Sequence, residues 1–532
     1  MNLTKTGLAR KIAARFGFVP ARAERAFPAA RVNRLTQDWR SFGISLDSLL
    51  NQDLATLRTR ARDLQESNEY FQKFLSMLKA NVCGDSGMSL KNKATDPPRK
   101  EGNKIVNGPL DYLANKLIED AFWEWGKKEN CTVAKNLSWA QVQNLALETA
   151  GTDGETLWKM VIGKEAGNKF NFALQPIETD RIDSTRNQTL AGGASIKLGV
   201  QRNSFGQITH YWLHDGDPTD QLTSSGNWTS RPYPAAEFVH PHLIRRIGQT
   251  RGIPWAAAAM MRLKMLADYE EAELVGSVAA SRKMAFLTKS VGSGAEYSGP
   301  NADGGGKYMD AEAGMVEELP QGMDVKVVDW NHPNSVFGQF TGDCLRAAAC
   351  ALCVSHPNLA NDYANVNFSS GRMARLEEVE HWKMLQFWFA DTFHTPIFSA
   401  WLDSALMSNA IKVELAGGKT ITLPPTKFEK FNQPAWHGRR WTWLDPTKEV
   451  SAKISEINSG FTSLTRVLAE LNIDRDELFD EIESDRAEIE RRKIMLPELY
   501  ENAAQQGVNQ PETPGESETP EATKPPQKKE VA

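Results

Sequence analysis

The sequence predicts a helix-rich α+β protein with more than one packed unit. The chain has 532 residues, more than a single hydrophobic core usually serves. Apolar side chains recur at helical spacing over 336–352 and 373–389, whereas residues 157–174 alternate apolar and polar side chains as strands do. A hydrophobic content of 41% with 15 Trp provides enough apolar surface for sizeable cores.

Composition argues against several classes of protein. The net charge of -5 is unlike that of a general nucleic-acid-binding domain, which is usually basic. Five Cys, an odd and low number, fit a reducing compartment better than a disulfide scaffold. The sequence has neither the apolar core of a secretory signal nor an apolar run of about 18 residues. We therefore expect a soluble protein made in the cytoplasm.

Residues 46–250 are predicted to form a mixed α+β body behind a flexible basic arm, 1–45. The first 62 residues hold 12 Lys and Arg against four Asp and Glu. In the body, two helices from Leu46 to Val82 should break near Ser67 and Asn68, because Ser and Asn cap helices. The patterns then predict a polar loop over 96–102, helices over 110–125 and 139–149, and mainly strands over 155–247.

Two further helices are separated by a Gly-rich excursion, 288–333. Pro254 suits a first helical position, and the helix from Trp255 is predicted to continue to about Leu287, on the order of 45 Å. Within the excursion, strands over 315–319 and 324–329 flank Gln321 and Gly322 and predict a hairpin. The long helix is either an isolated core helix or one of two stem helices, 251–287 and 334–353, that line a pore.

The segment 354–370 is most informative for what it lacks. It has no Lys or Arg and one acid, Asp362, so it would contact a polyanion only weakly. The helix before it should end near His356 and Pro357, because the residue before a proline avoids the α region. An ordinary polar loop between two core helices is the alternative interpretation.

The remaining chain is predicted to be mostly helical. A helix from about Gly371 should kink or end at Pro396, and strands over 411–415 and 419–423 flank a Gly-Gly turn. Trp436, Trp441 and Trp443 should return to the body. Residues 447–500 should form helices with an acidic outer face, and residues 501–532 a disordered tail rich in Pro, Glu and Thr.

Several motifs in order resemble one known family. The run Asn365-Val-Asn-Phe-Ser-Ser-Gly-Arg372, after an apolar helix, resembles the Asn-Tyr-Ser-Ser-x-Arg signature of the lambda-type portal proteins of tailed bacteriophages, the head-to-tail connectors. The signature residues here are Asn367, Phe368, Ser369, Ser370 and Arg372, with Phe368 where Tyr is more frequent. Matching pieces elsewhere are Leu57-Arg-Thr-Arg-Ala-Arg-Asp-Leu64, Asn81-Val-Cys-Gly84, Arg251-Gly-Ile-Pro-Trp255, Pro333-Asn334 and Trp443-Leu-Asp-Pro-Thr-Lys-Glu449. The resemblance spans about 46–496.

The resemblance implies a portal-type architecture. In that scheme 46–250 is the α/β wing, 251–287 and 334–353 are the stem helices, 288–333 is the β clip and 354–370 is the tunnel loop. Residues 371–446 are the long kinked wing helix with returning strands, and 447–500 are the crown. The implied DNA-facing residues are Asn358, Asn361, Asp362, Tyr363, Asn365 and Asn367. The implied terminase-docking residues of the clip are Glu317, Glu318, Gln321, Asp324 and Lys326.

The resemblance also implies a function and partners. The chain would form a homo-oligomeric ring, a dodecamer, at one capsid vertex of the virion, after synthesis in the host cytoplasm. Double-stranded DNA would pass through it during packaging and ejection, held weakly and without sequence preference. Its other partners would be the terminase large subunit, the head-completion and tail-joining proteins, and the major capsid and scaffold proteins. The basic arm would contact DNA or scaffold, or remain a solvated tail.

The sequence predicts no catalytic residue, no metal ligand and no cofactor. The stretch 299–307 lacks the glycine and the Ser or Thr of a phosphate-binding loop. Cys344, Cys350, Cys353 and His356 lack a second Cys pair at zinc spacing, and the thiols are predicted to be buried. The alternatives are a terminase-like or nuclease-like phage DNA enzyme, which would need a phosphate loop and clustered acids, or another ring-forming tail or baseplate protein.

Overall fold

The structure is a computed structural model that confirms a helix-rich α+β protein. It describes residues 34, 37–97, 99–101, 104–106, 108–220, 222, 228–281, 285–289, 323–327, 336–414, 420–441, 446–470, 473 and 475–492. The predicted flexible arm falls mostly outside these residues, and the predicted disordered tail falls wholly outside them. The chain divides into two compact units, Met1–Trp441 and Thr442–Ala532.

The first two helices, α1 (Leu46–Ser67) and α2 (Glu69–Val82), meet at Asn68, as predicted. The Asn68 side chain accepts a hydrogen bond from the Phe71 backbone N–H at 3.0 Å, which caps α2. Its own backbone N–H donates to Leu64 at the end of α1. One buried residue therefore ends one helix and begins the next.

The predicted polar loop over 96–102 contains a short hairpin. After β1 (Ser89–Asn92), strand β2 (Arg99–Glu101) pairs antiparallel with β3 (Lys104–Val106). Ile105 and Val106 favour extended backbone, and pairing with them draws part of the loop into a strand. The prediction of an unstructured loop is wrong for Arg99–Glu101.

Three helices follow α2 in the first unit. They are α3 (Tyr112–Trp125), α4 (Lys128–Cys131) and α5 (Trp139–Asp153). A capping box between Ser138 and Gln141 begins α5, which packs against α1 and α2. Gly154 ends it with φ +87°, where a Cβ would collide with the Ile253 backbone. Glycine is therefore required at this crossing.

Two antiparallel sheets form most of the region predicted as strand. The strands are β4 (Leu157–Ile162), β5 (Phe172–Ile177), β6 (Gln188–Thr189), β7 (Ser195–Lys197), β8 (Val200–Arg202), β9 (Ile208–His214), β10 (Ser230–Pro234) and β11 (Phe238–Val239). The three-stranded sheet has the order β11-β4-β5, and the five-stranded sheet β10-β9-β8-β7-β6. Leu157 and Phe238 from the first sheet pack with Val200, Tyr211 and Leu213 from the second.

The long helix predicted from Trp255 to Leu287 is wrong at both ends. A 3-10 turn, Trp255–Ala258, precedes α6 (Met260–Ser281), and Ala285 already begins strand β12 (Ala285–Lys289). This strand pairs antiparallel with β13 (Met323–Val327), and that distant pairing overrides the local helical pattern. The described partner of β13 is thus β12, whereas the partner predicted for it, 315–319, lies outside the described residues.

Helix α7 (Phe337–Leu352) packs against α6. Tyr269 of α6 stacks on Phe337 and meets Phe340 edge to face, with ring centroids 5.8 and 5.1 Å apart. The next helices are α8 (His356–Ala360), α9 (Phe368–Phe389) and α10 (Thr395–Met407).

The irregularity predicted at Pro396 is present as a π-helical turn, Ala390–His394, between α9 and α10. The Thr395 backbone N–H donates to Ala390, five residues back, and Pro396 has no N–H to donate. The widened turn accommodates this missing donor, so the long helix is interrupted just ahead of the proline.

An aromatic core holds these elements together. Phe122 of α3 contacts Trp139 of α5, Trp401 of α10 and Trp436, with centroids 4.9–5.8 Å apart. Trp436 lies in strand β16 (Pro434–His437), which pairs with β1. The predicted return of this tryptophan to the body is therefore confirmed.

The closing elements of the first unit include the predicted hairpin. They are β14 (Lys412–Glu414), β15 (Thr420–Thr422), α11 (Phe428–Phe431) and β16 (Pro434–His437). Strands β14 and β15 pair as predicted, with the turn between them outside the described residues.

The second unit contains the predicted C-terminal helices. They are α12 (Pro446–Asn458), α13 (Leu464–Glu470) and α14 (Arg475–Arg492). Glu483, Asp485 and Glu490 of α14 are exposed, as the predicted acidic outer face requires.

Candidate functional site

The segment that joins α7 to α9, here called the linking segment (Cys353–Asn367), is the candidate functional site. Helix α7 ends at Leu352, earlier than the end predicted near His356 and Pro357, because Cys353 takes a left-handed conformation with φ 56°. Pro357 lies in the first turn of α8, where its missing N–H costs nothing. The proline begins a helix here and does not end one.

A buried carboxylate, Glu378 of α9, fixes the start of the linking segment. Its side chain is 7% exposed and accepts hydrogen bonds from the backbone N–H of Ser355 and from Asn358 Nδ2, the latter at 2.6 Å. The Tyr363 hydroxyl donates to Asn358 Oδ1 at 2.9 Å. Asn358, predicted to face DNA, therefore has a structural role as a bridge between Glu378 and Tyr363.

The middle of the linking segment is exposed. Asn361, Asp362, Tyr363 and Asn365 all have exposed side chains, and the Tyr363 side chain is 57% exposed. Asn361 is left-handed with φ 53°, a conformation that Asn tolerates better than most residues. Asp362 accepts a hydrogen bond from the Ala364 backbone N–H at 3.2 Å. Four of the predicted DNA-facing residues thus lie together on one accessible stretch.

The signature residues form the N-terminus of α9. Asn367 accepts from the Ser370 backbone N–H at 2.8 Å, and Ser370 Oγ accepts from the Asn367 backbone N–H at 3.1 Å, a reciprocal cap. The helix consequently begins at Phe368, three residues before the predicted start at Gly371, with Ser369 exposed in its first turn. Phe368 is 65% exposed, and Arg372 is half-buried.

The predicted terminase-docking residues are only partly described. Glu317, Glu318 and Gln321 lie outside the described residues. Asp324 is exposed on β13 and pairs in register with Thr288, while Lys326 lies in the same strand opposite Phe286. The described part of the excursion therefore presents these two positions on one strand.

Helix α9 carries a second apolar face that points away from the core. Its buried positions include Trp382, Leu385 and Phe389. On the opposite side of the helix, four large apolar side chains are 53–76% exposed: Met373, Leu376, Met384 and Phe387. An apolar stripe of this length on a solvent-facing helix is typical of an interface.

A buried ionic cluster surrounds Glu155, a residue that no sequence motif predicted as functional. Arg58 and Arg251 both donate hydrogen bonds to the Glu155 carboxylate, and the bond from Arg251 Nε is 2.8 Å long. The Gly252 backbone N–H donates to the same carboxylate at 2.5 Å. Burial alone would raise the pKa of Glu155, but Arg251 and Arg58 hold it well below its ordinary value. Arg58 and Arg251 both lie in motifs that resemble those of the portal family, and this resemblance is the sequence signal that points to the cluster.

The same cluster contains a group with metal-ligand chemistry. Ligand atoms of Glu155, His240 and His242 lie within 4.8 Å of one another, the one such group found among the described ranges. Two guanidinium groups already neutralise the Glu155 carboxylate. A metal cation would have to compete with them, so the donor set does not fit a metal site.

The prediction that the cysteines of α7 are buried is wrong. Cys350 and Cys353 are exposed and Cys344 is half-buried, whereas Cys83 and Cys131 are buried. The apolar stripe of α7 runs through Leu345, Ala348 and Leu352, and Cys350 lies off it. Spacing alone did not separate these positions, because Cys counts as apolar in a periodicity pattern.

No described helix of sufficient length is apolar enough to cross a membrane.

Comparisons with known proteins cover most of the chain. The sequence profile described as "Phage portal protein, lambda family" matches residues 32–386. A probable portal protein of Halomonas phage phiHAP-1 is 28% identical over 499 residues, 91% of each chain. Portal protein B of Escherichia phage lambda is 20% identical over 482 residues, 83% of this chain and 85% of the relative.

The chain is also similar to chains of solved structures. A chain of "Neck of empty GTA particle computed with C6 symmetry" is 12% identical, with a TM-score of 0.41. The match covers 80% of this chain and 94% of the other.

Proposed function

The chain belongs to the lambda family of phage portal proteins, and we propose that twelve copies close into a channel through which double-stranded DNA is packaged and later ejected. In this proposal the linking segment faces the DNA. Residues 46–250 form the wing, α6 and α7 the stem, and 288–333 the clip. The second unit forms the crown, and the basic arm contacts DNA or scaffold protein.

The composition of the exposed linking segment is the observation that carries this proposal. Asn361, Tyr363 and Asn365 offer amide and hydroxyl groups, and the segment contains no Lys or Arg. Each cation that neutralises a phosphate adds affinity through counterion release, so a segment without cations binds DNA weakly. A polymer that must advance through a ring is not retained by a weak and sequence-independent contact.

The anchoring of the segment supports the same role. Glu378 fixes Ser355 and Asn358 at one end, and the Asn367 cap fixes the other end. Side chains without positive charge are thus presented from a backbone held at both ends. The segment is expected to keep one position while DNA moves past it.

Ring closure requires an interface between copies, and the outward face of α9 suits it. A cyclic ring uses heterologous contacts, in which two different surfaces of each subunit meet. We assign one of these surfaces to Met373, Leu376, Met384 and Phe387, whose exposure in the isolated chain would be removed by a neighbouring copy. Burial of such side chains provides the main driving force for association.

The remaining partners are assigned to other parts of the ring. ATP hydrolysis belongs to a separate terminase large subunit that docks at the clip. Its proposed contacts are Asp324 and Lys326, together with Glu317, Glu318 and Gln321, which fall outside the described residues. Head-completion and tail-joining proteins attach after packaging, and major capsid and scaffold proteins surround the ring in the virion. Before assembly the protein resides in the host cytoplasm.

Electron microscopy of the purified protein tests the proposal directly. We expect rings with a central channel, and native mass spectrometry should give the subunit number. Replacing Met384 and Phe387 together by Glu should leave folded subunits that no longer close rings. A compact monomer of the unsubstituted protein, or particles without a channel, would overturn the proposal.

A DNA enzyme of the terminase or nuclease class is the alternative function. Such an enzyme requires acidic side chains that hold a divalent metal. Among the described residues, the group with metal-ligand chemistry contains one carboxylate, Glu155, and that carboxylate is paired with two arginines. Hydrolysis of ATP or cleavage of DNA by the purified protein would favour this alternative.

A further inference from the structure

Two exposed cysteines flank the point where α7 ends and the linking segment begins. Cys350 lies in the last turn of α7, and Cys353 is the first residue beyond the helix. Burial raises the pKa of Cys83 to about 12 and also raises that of Cys131, which makes both thiols unreactive. The two exposed thiols are therefore the accessible sulfur groups of this region.

The backbone brings these two residues together. The Val354 N–H donates to Ala349 at 3.0 Å, and the Cys353 N–H donates to Cys350 at 3.3 Å, the two hydrogen bonds of a Schellman motif. A hydrogen bond between residues i and i+3 keeps their Cα atoms within about 7 Å. Disulfides span Cα separations of about 4.4–6.8 Å, so the backbone separation of these two residues is compatible with a bond between their sulfurs.

Cys353 also occupies an unfavourable conformation. Its φ of 56° is the left-handed region, which glycine usually occupies at this position of a helix end. A side chain with a Cβ is disfavoured there, because the Cβ approaches the following carbonyl oxygen. A cysteine that takes this disfavoured conformation at an exposed position needs an explanation other than packing.

The two thiols differ in their position on the helix. Cys353 lies beyond the last helical residue, whereas Cys350 lies within the last turn of α7. We therefore assign the first attack to Cys353 and the second to Cys350.

We propose that Cys350 and Cys353 form a redox-active dithiol that a small-molecule disulfide, such as oxidised glutathione, converts into an intrachain disulfide. The Cys353 thiolate attacks one glutathione sulfur, the S–S bond breaks, and one glutathione thiol leaves. The Cys350 thiolate then attacks the Cys353 sulfur and releases the second glutathione. The protein loses two protons and two electrons, and one disulfide becomes two thiols.

The bond would fix the entry to the linking segment. Reducing conditions in the cytoplasm keep the thiols apart, whereas a released particle meets an oxidising medium. Only this timing rests on the proposed function. The chemistry is measured as a mass change, so its failure is distinguishable from a failure of the protein to form a channel.

Mass spectrometry of the full-length protein tests the proposal. The assembled protein is incubated with oxidised glutathione, quenched in acid and alkylated, and the peptide containing both cysteines is weighed. We expect this peptide to lose two hydrogens and to regain them with dithiothreitol. Cys344→Ser is the matched control and should behave as the unsubstituted protein does.

Single substitutions separate the two steps. Cys350→Ser should accumulate a glutathione adduct on Cys353 because the resolving thiol is absent, and Cys353→Ser should show little reaction. For the unsubstituted protein, complete alkylation of both cysteines after oxidation, or glutathione adducts without an internal bond, would overturn the proposal. A disulfide between copies, seen as a dimer on a non-reducing gel, would also overturn it.

Discussion

Arg251 Nε donates a hydrogen bond to Glu155 at 2.8 Å, and both side chains are fully buried although 96 residues separate them. Arg251 also donates to the backbone carbonyls of Leu198 and Thr179. The pair thus joins the end of α5, the segment after β5, the turn between β7 and β8, and the entry to α6.

Replacing Glu155 by Gln should destabilise the protein strongly. The substitution leaves the buried Arg251 without its paired carboxylate and leaves Arg58 with Asp180 alone, which costs about 3–5 kcal/mol. Urea unfolding monitored by tryptophan fluorescence measures the change. Glu124→Gln, which breaks an exposed pair with Lys169, is the control and should cost at most about 1 kcal/mol. Equal losses in the two variants would contradict the importance of the buried cluster.

Acid should weaken the same cluster. The folded-state pKa of Glu155 lies well below its ordinary value, so its stabilising contribution is complete above the unfolded pKa, about 4.3. The contribution is lost as the pH falls through the lower folded pKa. Glu155→Gln should therefore show less loss of stability in this acidic range than the unsubstituted protein, measured by urea unfolding at successive pH values.

Replacing Glu378 by Ala should loosen the linking segment without unfolding α9. The change removes the acceptor for the Ser355 N–H and for Asn358, and leaving such buried donors unpaired costs about 1–3 kcal/mol. Hydrogen exchange of residues 355–363 should accelerate, and proteases should cleave there sooner. The control is Glu377→Ala, because Glu377 is the adjacent exposed residue. Unchanged exchange in Glu378→Ala would exclude the anchoring role.

His394 should give the protein a second acid sensitivity, which begins at a higher pH. Its imidazole is fully buried among Trp139, Phe389 and Trp436, and burial lowers its pKa to about 3. The unfolded chain binds a proton below about pH 6.5 that the folded chain does not. Stability should thus fall by up to about 1.4 kcal/mol per pH unit from pH 6.5 downward.

Substitution by Phe isolates this effect. His394→Phe keeps an aromatic ring in the core and should be within about 1.5 kcal/mol of the unsubstituted protein at pH 7. Its stability should decline less between pH 6.5 and pH 4.5, as measured by urea unfolding at several pH values. Parallel pH curves for the two proteins would show that His394 does not titrate on unfolding.

Local signals predicted the elements that local chemistry determines. Asn68 was recognised as a helix boundary because its side chain caps the helix that it precedes, and the Gly-Gly turn near 417 indicated the pairing of β14 with β15. Pro396 likewise marked the interruption of the long helix. In each case one or two residues carry the information.

Long-range partners explain what the sequence did not reveal. Ala285–Lys289 continues a helical pattern and becomes a strand only because Met323–Val327 pairs with it. Glu378 has the composition of an exposed helical position, yet its partners Ser355 and Asn358 bury it. The linking segment could be predicted as polar and poor in cations, but its anchoring depends on these tertiary contacts.

Adding a cation to the linking segment should slow DNA movement. Asn365 is exposed, and Asn365→Lys would add one positive charge from every subunit of a ring. Each added phosphate contact makes binding tighter and steepens its salt dependence, with a slope of about -0.9 per contact. In a packaging assay we expect a slower rate at low salt that recovers as the salt concentration rises.

Matched variants distinguish charge from shape at this position. Asn365→Gln lengthens the side chain without charge and should package at the normal rate. Lys is not introduced at Asn361, because the left-handed backbone there, with φ 53°, disfavours it. Asn361→Gly suits this backbone and serves as a substitution in the same segment that adds no charge. If Asn365→Lys rings assemble and package at the normal rate at every salt concentration, the linking segment does not contact the DNA. If Asn365→Gln slows packaging equally, the effect is steric. The lack of positive charge in the segment is then not what allows DNA to move.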